Sequence, residues 1–261
     1  MSREGENLTF WDHLDELRGT LLRIIGVAVF FAIGAFCFKE VLFDVILAPT
    51  RSDFITYRLL NRIAESVGSQ ATAFSIKLIN ISLAQQFIIH MKSAFCAGLL
   101  CASPYILYAI LRFLSPAFYS NEKRYVYSLV GSGYIMFMTG VLLCYFLIFP
   151  LTFRFLGSYQ VSTEVSNMIS LNSYISTFIS MCLMLGIVFE LPVLCWLFAK
   201  LGMLNASFMQ NYRKHAVVVI LILAAIITPT SDAFTLALVS VPMWLLYELS
   251  IKVVSVTQKN R

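Results

Sequence analysis

Charged residues in this chain gather in short clusters, and the stretches between the clusters are apolar. Between Arg124 and Arg154 lie 29 residues without a charge, and Val165 to Phe189 gives 25 more. An apolar run of about 18 residues or more is long enough to cross a hydrocarbon core about 30 Å thick. The pattern predicts six apolar helices. The first runs from about Leu21 to Phe38, the second from Ser93 to Leu111 with Pro104 inside it, and the third from Val126 to Phe149. The fourth covers Asn172 to Ala199 and contains Glu190. The fifth and sixth are short, roughly Ala216 to Ile227 and Ala233 to Tyr247.

Fusing that last pair into one helix would carry Pro229 and Asp232 towards the middle of the bilayer. Proline breaks the hydrogen-bond ladder there, and a carboxylate is costly. Two short helices meeting at a Thr228–Asp232 turn fit better, with the bilayer thinned locally or the turn sheltered by neighbours. The expected fold is therefore an all-α integral membrane protein with six transmembrane helices, the last two short. Placing the N-terminus in the cytoplasm puts 12 of the 19 basic residues on that side. Of the seven on the other side, six lie between the first and second apolar helices, so the two short outer loops carry only Arg154. Basic residues concentrate in short cytoplasmic loops, which predicts that both termini are cytoplasmic.

The long outer segment, about residues 39 to 86, has Phe54, Tyr57, Leu60 and Ile63 at helical spacing around Arg58 and Arg62. It reads as an external cap of interfacial helices within a single domain spanning residues 1–261. Repeats and low-complexity linkers are not evident. Composition agrees: 59% of residues are hydrophobic and 13% charged, about half the charge of a soluble domain. The first 16 residues hold five acids and no small-x-small cleavage pattern follows, so the first span is expected to be retained. All six cysteines fall inside apolar stretches and read as packing residues, not as a disulfide framework or metal site. The net charge of +5 fits basic anchors at the membrane surface, and no aromatic-interleaved basic motif supports nucleic-acid binding.

Catalytic signatures are missing. The chain has no phosphate-cradling P-loop, no HExxH and no G-x-S-x-G, and its histidines at 13, 90 and 215 are far apart in sequence. No cofactor is implied, and the chain does not read as an enzyme. Two polar stretches on the cytoplasmic side stand out instead. Phe10 to Arg18 is amphipathic, with Thr9 placed to cap it and Phe10, Leu14, Leu17 and Leu21 on one stripe. An interfacial lead-in to the first span explains the stripe but leaves Asp12, Asp15 and Glu16 unexplained. In Phe113 to Arg124, Ser120 is placed to cap the third span, Glu122 to complement the helix dipole, and Lys123 and Arg124 to anchor the end. The other reading is that Glu16 and Glu122 each accept a guanidinium through charge-assisted hydrogen bonds.

His13-Leu14-Asp15-Glu16-Leu17-Arg18 resembles the H-L-x-E-L-R motif of the TatC family. Phe113 to Arg124 is similar to that family's first cytoplasmic loop, and Gly186 to Val193 resembles its fourth span, where Phe-Glu-x-Pro recurs. Pro229, Asp232, Pro242 and Glu248 resemble its final hairpin. These matches run in order from residue 13 to residue 248. The resemblance implies a receptor in a prokaryotic plasma membrane that binds twin-arginine signal peptides of folded precursors. It would work with single-span TatA/TatB-type subunits, and with possible self-association, using the proton gradient. Glu16 and Glu122 would meet the paired arginines, while Phe113, Leu17, Arg18 and Lys123 shape the surface around them. The family's Pro-Pro-Asp turn is here Pro229-Thr230-Ser231-Asp232, and Leu236 stands where a glutamine is common.

Glu190 and Asp232 are the intramembrane polar candidates. For Glu190 three readings stay open: a contact for a partner helix, a proton-responsive group, or an acid hydrogen-bonded to a neighbour for structure. The rival functions are a secondary transporter using Glu190, Lys92 and Asp232, or a non-transporting scaffold. Transporter folds usually carry internal repeats, which this chain lacks.

Overall fold

A computed structural model describes residues 10–66, 77–114, 125–160, 162, 167–228 and 232–259. Those residues are almost entirely helical. Five helical stretches are long and apolar enough to cross a membrane: Leu14–Cys37, Gln85–Phe113, Leu129–Ser158, Leu171–Lys200 and Ala233–Lys259. They coincide with the first, second, third, fourth and sixth apolar segments of the sequence. The fold is thus that of an all-α, multi-span membrane protein.

Contacts divide the chain into two compact units. The first comprises Met1–Phe38 and Ala94–Tyr134. Its main elements are α1 (Phe10–Cys37) and the greater part of α4 (Gln85–Leu114). The outer faces of α1 are apolar and exposed, among them Leu22, Ile25, Phe30 and Ile33, as a lipid-facing helix requires. Where α1 meets α4 the contact is made by small residues. A Cβ on Gly98 would sit 2.6 Å from the backbone nitrogen of Ala32, so only glycine permits this approach.

The second unit comprises Lys39–Ser93 and Ile135–Arg261. It opens with α2 (Lys39–Leu47), a 3-10 turn at Ala48–Thr50 and α3 (Ile55–Ser66), the helices expected of the external segment. Two residues of this segment, Leu78 and Ile79 (β1), pair in parallel with Ile169 and Ser170 (β2), tying it to the connection between the third and fourth spans. The third span begins with α5 (Tyr125–Leu143), passes through a π-helical turn at Cys144–Ile148, and ends with α6 (Phe149–Ser158). The fourth is α7 (Leu171–Phe189) followed by α8 (Leu191–Lys200). Short α9 (Ala206–Asn211), α10 (Arg213–Ile227) and α11 (Ala233–Lys259) complete the unit.

The core of this unit gathers around α7. Tyr174, Ile175, Phe178, Met181, Cys182, Leu185 and Phe189 pack with Cys144, Ile148, Phe149 and Phe153 of the third span, and with Ile220, Ala224, Val239 and Met243. Two glycines allow the third and fourth spans to close on each other. A Cβ on Gly140 would lie 2.7 Å from Cγ of Phe189, and one on Gly186 would lie 2.8 Å from the ring of Phe137. All six cysteines are free thiols, and Cys96, Cys144 and Cys182 are buried, in keeping with a packing role.

Tyrosine hydroxyls fasten the cap to the spans. Tyr57 donates to the carbonyls of Pro49 (2.9 Å) and Pro150 (3.1 Å), Tyr145 to that of Val45 (2.8 Å), and Tyr174 to that of Ile46 (2.8 Å). Thr56 donates to the carbonyl of Phe146, inside the π turn. Such a turn leaves a carbonyl without its usual helical donor, and a side chain from the cap supplies one. Burial holds the Tyr57 phenol well above the ordinary tyrosine range, with the Arg154 guanidinium opposing that shift less strongly. The hydroxyl therefore remains a donor at any physiological pH. Tyr57→Phe should remove the one hydroxyl proton that the two carbonyls share and cost about 1–3 kcal/mol, measured as a lower thermal midpoint in detergent.

The sequence reading needs one correction. The last helix is not short: α11 runs 27 residues, to Lys259, and carries Pro242 inside it. The sixth segment was expected to end near Tyr247, yet neither Glu248 nor Lys252 beyond it stops the helix. Glu248 is paired with Arg213 at 2.7 Å, Lys252 is exposed, and Ile251 and Val254 continue the buried face against Ala199, Ala206 and Met209. At 15 residues α10 is short, as expected, and reaches only about 22 Å. The proposed caps Thr9 and Ser120, and turn residues 229–231, lie outside the described residues.

Candidate functional site

The first candidate surface lies at the start of α1. The helix runs without interruption from Phe10 into the first span, so the motif residues occupy its opening turns. Glu16 and Arg18 are exposed and Leu17 is half-buried. Neither Glu16 nor Arg18 forms an ion pair with another described residue. Leu14 and Leu21 are exposed as well, so the stripe through Leu14, Leu17 and Leu21 is largely uncovered by protein. An exposed carboxylate with no ion-pair partner among the described residues, beside an apolar stripe, suits a ligand with a cationic end and an apolar body.

Phe113 stands in the last turn of α4, half-buried, next to exposed Arg112. It belongs to the same unit as Glu16. Glu122 and Lys123 lie outside the described residues.

The second candidate is in the fourth span. Pro192 has no N–H to continue the ladder, and the helix breaks at Glu190, where α7 ends and α8 begins. The backbone N–H of Glu190 still donates to Ile187, and its carbonyl accepts from Val193 and Leu194 at 3.0 Å each. Its side chain is only 9% exposed, and Oε1 is buried without a hydrogen-bond partner. Natural folds rarely leave such an atom unpaired, and the exceptions usually have a purpose. Among the described residues no side chain or backbone group pairs with Oε1 of Glu190.

Asp232 is differently employed. Its Oδ1 accepts from the N–H of Thr235 at 2.7 Å, capping the first turn of α11. Leu236, one residue on, is half-buried against the core of the second unit. The structure does not bring Asp232 and Glu190 into a hydrogen bond.

Two contacts at the ends of α10 and α11 had no counterpart in the sequence reading. Arg213 and Glu248 join the start of α10 to α11. Gln258 donates to the carbonyl of Leu204 (3.3 Å) and to Oδ1 of Asn205 (2.7 Å), and accepts from the N–H of Ala206 (3.2 Å). Opposite charges flanking two consecutive apolar segments were a usable signal for the first. For Gln258, whose partners are more than 50 residues away in sequence, there was none.

Comparison with known proteins identifies the family. Residues 12–242 match the family described as TatC, Sec-independent protein translocase protein. A Sec-independent protein translocase protein TatC from Blattabacterium is 31% identical, with 100% of each chain covered. Another from Koribacter versatilis is 34% identical over 100% of this chain and 91% of its own. Among solved structures, the crystal structure of a twin-arginine translocase receptor, TatC, superposes with a TM-score of 0.75 at 30% identity. It covers 94% of this chain and 99% of the other. The chain belongs to the TatC family of Sec-independent protein translocase proteins.

Proposed function

We propose that this chain acts as a receptor for twin-arginine signal peptides, using the cytoplasmic surface formed by the start of α1 and the loop after α4. It is a core TatC-type subunit of the twin-arginine translocase and not an enzyme. The observation that carries the site is Glu16: exposed, unpaired among the described residues, and set beside an uncovered apolar stripe on the helix that leads into the first span. Glu16 and Glu122 accept the two guanidinium groups. Leu17, Phe113, Arg18 and Lys123 shape the surface that receives the adjoining apolar segment of the peptide.

In this reading the protein is one functional domain in a prokaryotic plasma membrane, with six spans and both termini cytoplasmic. α10 serves as the fifth span despite its length, because a bilayer thins or neighbouring helices shelter a short helix at modest cost. Glu190, buried and unsatisfied, offers its carboxyl to a single-span TatA/TatB-type partner. Cargo moves at the expense of the proton gradient.

Site-specific photocrosslinking of a twin-arginine signal peptide in native membranes tests the site directly. Probes at positions 14 and 113 should capture the peptide, and capture should vanish when its two arginines become lysines. Capture that ignores the arginines, or none at either position, would remove the receptor assignment.

A further inference from the structure

α3 carries more apolar surface than the protein covers. At 3.6 residues per turn its apolar positions sweep about 200° of the helix circumference. One half of that arc, Thr56, Tyr57, Leu60 and Ala64, faces the protein and is buried or half-buried. The other half is a ridge of Ile55, Leu59 and Ile63, left 63%, 58% and 53% exposed. Arg58 and Arg62 stand along the edge of this ridge, both exposed. Arg58 reaches Asp53 only at 3.4 Å between exposed side chains, and Arg62 has no acidic partner among the described residues.

The height of α3 along the spans can be read from Arg154. This is the one charged residue of the stretch Leu129–Ser158. Arg154 lies four residues before the end of that stretch, and an arginine near the end of a membrane helix carries its guanidinium to the interface. Arg154 lies 5.8 Å from the centre of the Tyr57 ring, and Tyr57 bonds the carbonyl of Pro150. The helix is therefore held at the level where acyl chains give way to headgroups. An apolar ridge facing away from the protein at that level, bordered by two arginines, matches a helix lying in a bilayer surface.

We propose that α3 is a lipid-binding element. Ile55, Leu59 and Ile63 rest in the acyl layer of the outer leaflet, and Arg58 and Arg62 bind the phosphates of anionic phospholipids. The proposed topology enters only in naming the leaflet; the lipid contact itself follows from the depth and the exposed ridge.

The test uses the full chain in vesicles of phosphatidylcholine and phosphatidylglycerol. Cys37, Cys101 and Cys195, the native cysteines that are not buried, are first replaced by alanine. A nitroxide is then attached at position 59, 63 or 65. Labels at 59 and 63 should collide mainly with oxygen, which partitions into lipid, and the label at 65 mainly with a water-soluble nickel complex. Equal exposure of 59 and 65 to the nickel complex would overturn the proposal. So would protection of 59 and 63 that arises only after a single-span partner is added, since that assigns the ridge to protein. A second measurement needs no cysteine change. Phosphatidylglycerol retained by the purified protein should fall about fivefold for each of Arg58→Gln and Arg62→Gln, and unchanged retention would overturn the headgroup assignment. Arginine-dependent capture of a signal peptide in the same vesicles reports on the receptor reading separately, whichever way the lipid result falls.

Discussion

Alanine at both Glu16 and Glu122 is expected to abolish arginine-dependent capture of a signal peptide while leaving the protein folded. Glu16 is exposed and makes no ion pair with a described residue, so its removal breaks no ion pair among those residues. What is lost is a charge-assisted acceptor for a guanidinium, and at an exposed site each loss should weaken binding about tenfold. Binding is read by titrating a labelled signal peptide onto protein in nanodiscs, and folding by an unchanged thermal midpoint. Solvent screening makes the effect of each carboxylate grow as salt is lowered. A double variant that still prefers arginine over lysine in the peptide would show that the site lies elsewhere.

Gly140→Val should have the largest effect on stability. The first added atom would fall 2.7 Å from Cγ of Phe189 and 2.8 Å from the carbonyl oxygen of Leu185. The second of these is backbone and cannot swing aside, so the third and fourth spans must separate. Overpacking costs about 1–3 kcal/mol even where side chains can adjust, and this site should exceed that range. The chain should melt at lower temperature in detergent and be retained poorly in membranes. Gly131→Ala is the control: nothing lies within 4 Å of its added Cβ, so the helix should gain the stability that alanine ordinarily brings. Equal melting of the two variants would remove the close-packing argument.

The positions of the spans were readable because charge is costly in hydrocarbon, and the gaps between charged residues mark the membrane directly. The helix before the first span was readable for a similar reason, since Leu14, Leu17 and Leu21 keep helical spacing up to the first apolar run. The end of α11 was not. The apolar run thins after Tyr247, and only the pairing of Glu248 with Arg213 and the burial of Ile251 and Val254 show the helix continuing past them. In α3 the spacing of Phe54, Tyr57 and Leu60 announced a helix, but Ile63 turned out to lie on the uncovered ridge. Periodicity reports that a face is apolar and not what covers it. The tyrosine anchors were hidden for another reason. Tyr145 and Tyr174 bond to carbonyls 100 and 128 residues away, and such pairs leave no local trace. Among the site residues, the sequence pointed to Glu190 through its cost in a span, and the structure adds that Oε1 has no hydrogen-bond partner among the described residues.

The break at Glu190 divides the fourth span by allegiance as well as by geometry. α7 is held in the core beside the third span, whereas α8 packs chiefly along α11, whose far end grips the Leu204–Ala206 loop through Gln258. The carboxyl thus sits at a pivot between two differently anchored levers. If a partner binds Glu190 more tightly at one tilt of α8, then fixing that tilt must raise the partner's affinity by the same factor, because the linkage is reciprocal. Gln258→Leu, which loosens the grip at the distal end of the lever, should therefore change partner affinity at Glu190 without touching the partner.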